Sequence, residues 1–172
     1  CYSENKILEI GNNCYEKYKK YYEKIDKIHN LYSTKKLTKQ KESKALNKNH
    51  DKIKNLTKDL HYKSCKLLTS YFDNIQLGKI STRSIVSNEK NLNKISKRSM
   101  LSLSHFLFRE RLQFQSVKRN VSFKCVNEYN SSKMCSSCKN LYNVGQSKLY
   151  CCNNCNLIID RDINASINIY NK

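Results

Sequence analysis

At 172 residues the chain is long enough for one ordinary domain plus a small module. Its 33 Lys and Arg against 14 Asp and Glu give a formal net charge of +19, which favours polyanionic partners and salt-sensitive affinity; an AT-rich genome would yield the same Lys- and Asn-rich, Pro-free profile without selection for binding. Nine cysteines could suggest a secreted disulfide framework, but they are odd in number and no signal-peptide core or apolar run of membrane length is visible, so a reducing intracellular compartment is the expectation.

Residues 1–11 read as strand, turn and strand, with turn chemistry at 3–6 and Ile7, Leu8 and Ile10 ahead of Gly11. From 15 to about 31 the pattern is helical, with Tyr15, Tyr18, Tyr22, Ile25 and Ile28 on one stripe. After a polar break at 34–38 a long helix runs to about 72. Leu46, Ile53, Leu60 and Leu67 are spaced by sevens along it, and Leu56 fills between. The two helices are expected to pair as a hairpin. Residues 73–78 alternate as a strand (Ile75, Leu77), and 79–98, rich in Ser, Asn and Lys, read as a loop. The stretch 99–119 reads as one helix with Met100, Leu103 and Leu107 on one face and Leu101, Phe108 and Leu112 on another. That pattern predicts burial against a sheet. A strand at 121–126 and a closing helix at 163–170 complete the order, which fits an α/β sheet with inserts.

Between those last two elements stand two CxxC knuckles, Cys135-Ser-Ser-Cys138 and Cys152-Asn-Asn-Cys155, thirteen residues apart. Thiolates at i and i+3 of a tight knuckle reach one metal, and two knuckles close a tetrahedron with no open position. Cys135, Cys138, Cys152 and Cys155 are thus the candidate ligands of a structural zinc. Cys151 also adjoins the second knuckle, but only Cys152 keeps the two-residue gap to Cys155. Cys1, Cys14, Cys65, Cys125 and Cys151 are scattered. Five residues beyond the last knuckle, Asp160-Arg161-Asp162 precedes the closing helix. Such acids serve either as cap and dipole partner or, beside a metal module, as part of an active site.

Two further patterns have two readings each. Eleven lysines against Glu42, Asp51 and Asp59 over 35–66 form either a phosphate-tracking face or a solvated helix face. Of the twelve tyrosines, Tyr15, Tyr18 and Tyr22 at helical spacing are expected in a core, and others offer stacking surfaces. His29, His50, His61 and His105 lack ligand spacing to the cysteines. His105 is expected to pack within its helix and Glu110 to pair with an Arg or Lys.

The run Ser131-Ser-Lys-Met-Cys135-Ser-Ser-Cys138, the second knuckle, and Asp160-Arg-Asp-Ile-Asn-Ala-Ser-Ile-Asn-Ile169 resemble the end of TnpB transposon-encoded proteins. These are RNA-guided DNA nucleases related to type V CRISPR effectors. Asp59-Leu60-His61, Ile75-Gln76-Leu77 and Ser102–Leu112 are similar to the eukaryotic and viral Fanzor branch. The resemblance covers nearly the whole chain and is most specific over 128–169. It implies an incomplete RNase H-like (RuvC) α/β domain with a helical-hairpin insert and an inserted zinc ribbon. The implied division is 1–130 for the partial RuvC domain with its insert at 13–72, 131–158 for the target-nucleic-acid-binding ribbon, and 159–172 for the final RuvC segment.

By the same resemblance the partners are DNA and a guide RNA, without a membrane, and the ions are structural zinc and catalytic magnesium. In that chemistry carboxylates hold two divalent metals that activate water and stabilise the leaving oxygen. The family's last catalytic aspartate falls on Asp162, with Asp160 in a supporting role. A glutamate just before the ribbon, as in Fanzor-like members, falls on Glu128, while the position that carries glutamate in many TnpB proteins is Gly78. The first catalytic aspartate belongs shortly upstream of what matches Cys1-Tyr2-Ser3, so the chain is expected to be truncated, with two of the family's three carboxylates. Location in a nucleus, or in cytoplasm for a prokaryotic host, is the accompanying expectation.

Overall fold

The computed structural model describes residues 1–3, 6–88, 93–145 and 147–172. It divides the chain into two compact units, one of 11–70 with 81–115 and one of 1–10, 71–80 and 116–172. Among the described residues no helix is long and apolar enough to cross a membrane.

The first unit is helical. Helix α1 (Cys14–Ser33) and helix α2 (Lys39–Tyr71) form where expected, and Tyr18, Tyr22, Ile25 and Ile53 are buried together with Leu46, Leu56 and Leu103 packed around. The buried face of α2 differs from the expected heptad stripe: it runs through Ile53, Thr57, His61, Ser64, Cys65 and Leu68, with Leu60 and Leu67 only half-buried. Tyr15 lies outside this core. The tyrosine hydroxyl that enters it is paired: Thr57 Oγ1 donates to Ser102 O at 3.0 Å and accepts from Tyr18 Oη at 3.1 Å. Without those bonds a buried phenol would be destabilising. Arg98 closes the rim, with Nη1 at 3.0 Å from both Asp26 carboxylate oxygens and the guanidinium 4.9 Å from the Tyr22 ring centre. Between the helices, the Ser33 and Thr34 hydroxyls donate to Asn30 O at 2.9 Å and occupy a carbonyl left over at the helix end.

Three sequence expectations fail over 79–118, the first two for local reasons. The stretch 79–98 is not a loop throughout: it holds helix α3 (Thr82–Asn88) and the start of helix α4 (Lys94–Leu103), with 89–92 outside the described residues. The Asn93 side chain caps α4 by accepting from Ser96 N at 2.7 Å, a start signal hidden in a polar run. Nor is 99–119 one helix. Ser104 takes a left-handed conformation (φ 44°, ψ 62°) that ends α4 before helix α5 (His105–Lys118) begins. The predicted two-faced burial fails too, for Leu112 is fully buried whereas Leu101, Phe106, Leu107 and Phe114 are exposed.

In the second unit strands β1 (Tyr2–Ser3) and β2 (Lys6–Ile7) pair antiparallel, and the turn expected at 3–6 falls in part on residues 4 and 5, outside the described residues. Strand β3 (Asn74–Gly78) runs parallel to β4 (Ser122–Val126), with Ile75 opposite Phe123 and Leu77 opposite Cys125. A parallel pair needs a long crossover, and here 79–121 supplies it. Strands β5 (Leu149–Cys151) and β6 (Ile158–Asp160) form a second antiparallel ribbon. Helix α6 (Arg161–Tyr170) packs against β1, β3, β5 and β6 and so touches all three strand pairs.

Candidate metal centre and its acidic helix

Both knuckles are built alike. In the first, Cys135 N–H donates to Asn140 O at 2.8 Å and Lys139 N–H donates back to Cys135 O at 3.1 Å, with Lys139 left-handed at φ 62°. In the second, Cys152 N–H donates to Leu157 O at 2.9 Å and Asn156 N–H to Cys152 O at 3.0 Å, with Asn156 at φ 59°. Cys152 is therefore the counterpart of Cys135. Its neighbour Cys151 is exposed on β5, opposite Ile158, and stands apart from the thiol group.

The four sulfurs of Cys135, Cys138, Cys152 and Cys155 all lie within 4.8 Å of one another. Cys135 Sγ is 3.6 Å from Cys155 Sγ, and Cys138 Sγ is 3.5 Å from Cys152 Sγ. A tetrahedron with Zn–S bonds of about 2.3 Å has edges of about 3.8 Å, so the donor set fits a four-coordinate thiolate metal such as zinc. Within the crowded cluster the thiols do not share one acidity: the Leu157 backbone hydrogen bond acts first and lowers Cys155, but burial and its neighbouring sulfurs together push it up to about 11. Hydrogen bonds from the Asn154 side chain and then the Asn140 backbone hold the Cys138 thiol down at about 6, where it ionises readily.

Beneath the knuckles Tyr150 is fully buried, and its hydroxyl donates to Lys133 O at 3.1 Å. Burial first, and the surrounding cysteines second, push that phenol up to about 12. It remains a neutral donor that ties the ribbon's strand to the entry of its first knuckle.

Helix α6 begins directly after β6, and its two acids have different tasks. Asp160 is the N-cap: its Oδ1 accepts from Asp162 N at 2.8 Å and Ile163 N at 3.2 Å. Asp162 is spared that task. Its side chain is 90% exposed, with Arg161 Nε 3.9 Å away.

Further along the helix, Asn164 and Asn168 occupy consecutive turns of one face and are wholly buried. Asn164 Oδ1 accepts from Ser136 N at 2.9 Å, and its Nδ2 donates to Met134 O at 2.8 Å. Asn168 Nδ2 donates to Ser131 O at 2.9 Å and to Met134 O at 2.6 Å. The two amides thus fasten residues 131–136, which carry the first knuckle, onto α6. Sequence reasoning did not single out either asparagine or Tyr150. The available signal was a pair of amides at i and i+4 among the apolar Ile163, Ile167 and Ile169.

Glu128 follows β4 by two residues, and its side chain lies over Gly78 at the end of β3. A Cβ built on Gly78 would collide with Glu128 Oε1, Cδ and Cγ. Glycine is what lets the carboxylate occupy this place. Burial raises the Glu128 carboxyl above its ordinary value, and Lys172 works against that rise. Lys172 Nζ donates to the flanking carbonyls of Asn127 at 2.6 Å and Tyr129 at 3.1 Å. Segment 127–136 therefore runs antiparallel to α6, with Glu128 toward the helix C-terminus and Asp162 in its first turn. Asp162 and Asn168, the helix residue bonded to Ser131, are separated by about 9 Å of axial rise.

The family model described as the Cas12f1-like, TNB domain matches residues 105–169, a span that holds both thiol knuckles and most of α6. The chain belongs to the TnpB-like proteins. It is 38% identical over 178 residues to TnpB-like protein L79 of Acanthamoeba polyphaga mimivirus, an alignment covering 98% of this chain and 34% of that protein. TnpB-like protein MJ0751 of Methanocaldococcus jannaschii is 28% identical over 87% of this chain and 57% of its own length. The CRISPR-associated DNA-binding protein Cas12m of Pelobacter propionicus is 29% identical over 65% of this chain and 18% of its own length. Among solved structures, a chain of the Cas12f1–sgRNA–target DNA complex shares the fold, with a TM-score of 0.65 at 16% identity over 94% of this chain and 42% of that one. The chain spans about a third of the length of the mimivirus relatives it matches.

Proposed function

We propose that this chain is the DNA-binding, nuclease-derived C-terminal part of a TnpB/Fanzor-like RNA-guided DNA endonuclease. It would rest on an incomplete RNase H-like domain whose ribbon at 131–158 engages target nucleic acid. The observation that carries this reading is the four-thiol cluster clipped by Asn164 and Asn168 to a helix whose first turn displays Asp162. In it zinc, held by Cys135, Cys138, Cys152 and Cys155, cross-links the ribbon and does no chemistry. Glu128 and Asp162 are the carboxylates assigned to the nuclease ancestry, and bound magnesium would supply activation of water and stabilisation of the leaving oxygen. Cleavage in this reading needs Glu128 and Asp162 to approach each other and a third carboxylate from chain that the longer relatives possess.

The alternative is a zinc-ribbon nucleic-acid-binding module without catalysis. Its supporting observation is the placement of Glu128 and Asp162 beside different turns of α6.

Three measurements test these readings, and the third decides between them. Purified chain should hold about one zinc per molecule, and a folded, metal-free protein refutes the ribbon assignment. DNA binding should fail in Cys152→Ser and survive in Asp162→Ala. Magnesium-dependent cleavage of labelled DNA that Asp162→Ala abolishes would establish the catalytic form, whereas binding without cleavage establishes the alternative.

A further inference from the structure

The helical unit carries a cationic and aromatic strip that neither the thiol cluster nor the two acids account for. Lys58, Tyr62 and Lys66 are exposed at successive i+4 positions of α2 and so form one row, with about 6 Å of rise between neighbours. Tyr62 is 53% exposed, and over its ring lie Lys58 Nζ, 6.0 Å from the centre, and the Arg111 guanidinium, from α5, 5.3 Å from it. The acids on this helix are engaged elsewhere: Asp59 holds Lys63 at 2.7 Å and Asp51 holds Lys54 at 3.8 Å. Among the described residues Lys58 and Lys66 are in no ion pair.

Arg111 is fixed from behind. Its Nη1 donates to His61 Nδ1 at 2.9 Å, and His61 Nε2 in turn donates to Leu103 O at 2.9 Å. Both ring nitrogens are thereby assigned, so His61 is neutral with its proton on Nε2. His61 is buried against Phe108, with ring centres 5.2 Å apart. A buried histidine thus positions an arginine beside an exposed tyrosine, between lysines at regular spacing.

From this arrangement we infer a second nucleic-acid contact surface: Lys58, Lys66 and Arg111 meet the phosphates of a single strand, and a base stacks on Tyr62. A half-exposed ring with cations over it, one of them held by His61, offers the stacking and charge contacts that a base and its phosphate use, the base taking the place of the unheld Lys58 on the ring. An acidic peptide would satisfy the cations but leave the ring without a flat partner. The inference shares its partner class with the proposed function and rests on that reading to that extent, but it concerns residues of the other compact unit.

The test uses the full chain, with a labelled oligothymidylate as probe and an oligoglutamate of equal charge as comparison. Tyr62→Ala should weaken oligothymidylate binding by about five- to a hundredfold, and Tyr62→Phe should not. Lys58→Gln and Lys66→Gln should each lower the slope of log affinity against log salt by about 0.7. His61→Gln, which retains an acceptor for Arg111, should bind more nearly as the parent than His61→Leu. All these variants should melt within a few degrees of the parent except His61→Leu, so fold loss is separable from lost contact.

Unchanged affinity in Tyr62→Ala together with the double lysine variant overturns the inference. So does oligoglutamate bound as tightly as oligothymidylate. Cys152→Ser separates the two proposals: if it removes oligothymidylate binding while the strip variants do not, the ribbon stands and the strip falls. If the strip variants remove binding and Cys152→Ser does not, the strip stands and the ribbon falls.

Discussion

Asn164 shows how much of this architecture rests on single side chains. It is an amide whose donor and acceptor ends are both used inside the fold. Asn164→Asp keeps the shape but turns the donor end toward Met134 O into a second acceptor. The loss expected is about 2–4 kcal/mol, read from denaturant melts, because a buried group is left unpaired and charged. His61 makes a prediction of opposite character, in pH. Burial lowers its pKa below the ordinary 6.5, the Leu103 bond works the other way, and Arg111 and His105 add to the lowering. Protonation is thus disfavoured in the fold. The stability this confers is complete above 6.5 and is lost as pH falls through the depressed folded value. His105, lowered by burial, acts in the same direction. Melting temperature should fall between pH 7.5 and 5, and less steeply in His61→Gln, a difference that separates this group from the thiols of the ribbon.

Among the elements, those with a strong period were legible in advance. The stripe of Tyr18, Tyr22 and Ile25 defined α1, and thiol spacing defined the knuckles, because both patterns are local and survive any tertiary arrangement. The start of α4 was hidden because its polar sequence leaves formation to capping by Asn93, and α3 was hidden because it is short and mostly polar. The break at Ser104 had no signal at all, since a serine in left-handed geometry replaces the usual glycine. Glu128 was legible only by resemblance, and its place over Gly78 required the register of β3 with β4. Ser104→Gly should relieve the strained backbone and raise stability by up to about 1 kcal/mol, whereas Ser104→Val should lower it. Thermal melts of the two variants check the sign.

On the scale of the molecule, the chain sets a dense positive charge on two units of unlike construction: one is held by interlocked helices, the other by thiols, amides and short ribbons. Strands β3 and β4 pair only with each other among the described residues, so each presents one flank of backbone amides and carbonyls that is not taken up by sheet. Such flanks are templates for another chain, and at low ionic strength the mutual repulsion of molecules at +19 keeps copies apart. Sodium chloride weakens that repulsion without weakening a backbone ladder. Light scattering from a concentrated solution should therefore rise as salt is added, the reverse of what charge-driven clumping would show. A preparation of this chain should be handled dilute and at modest ionic strength, because its electrostatic excess is also its safeguard against zipping edge to edge.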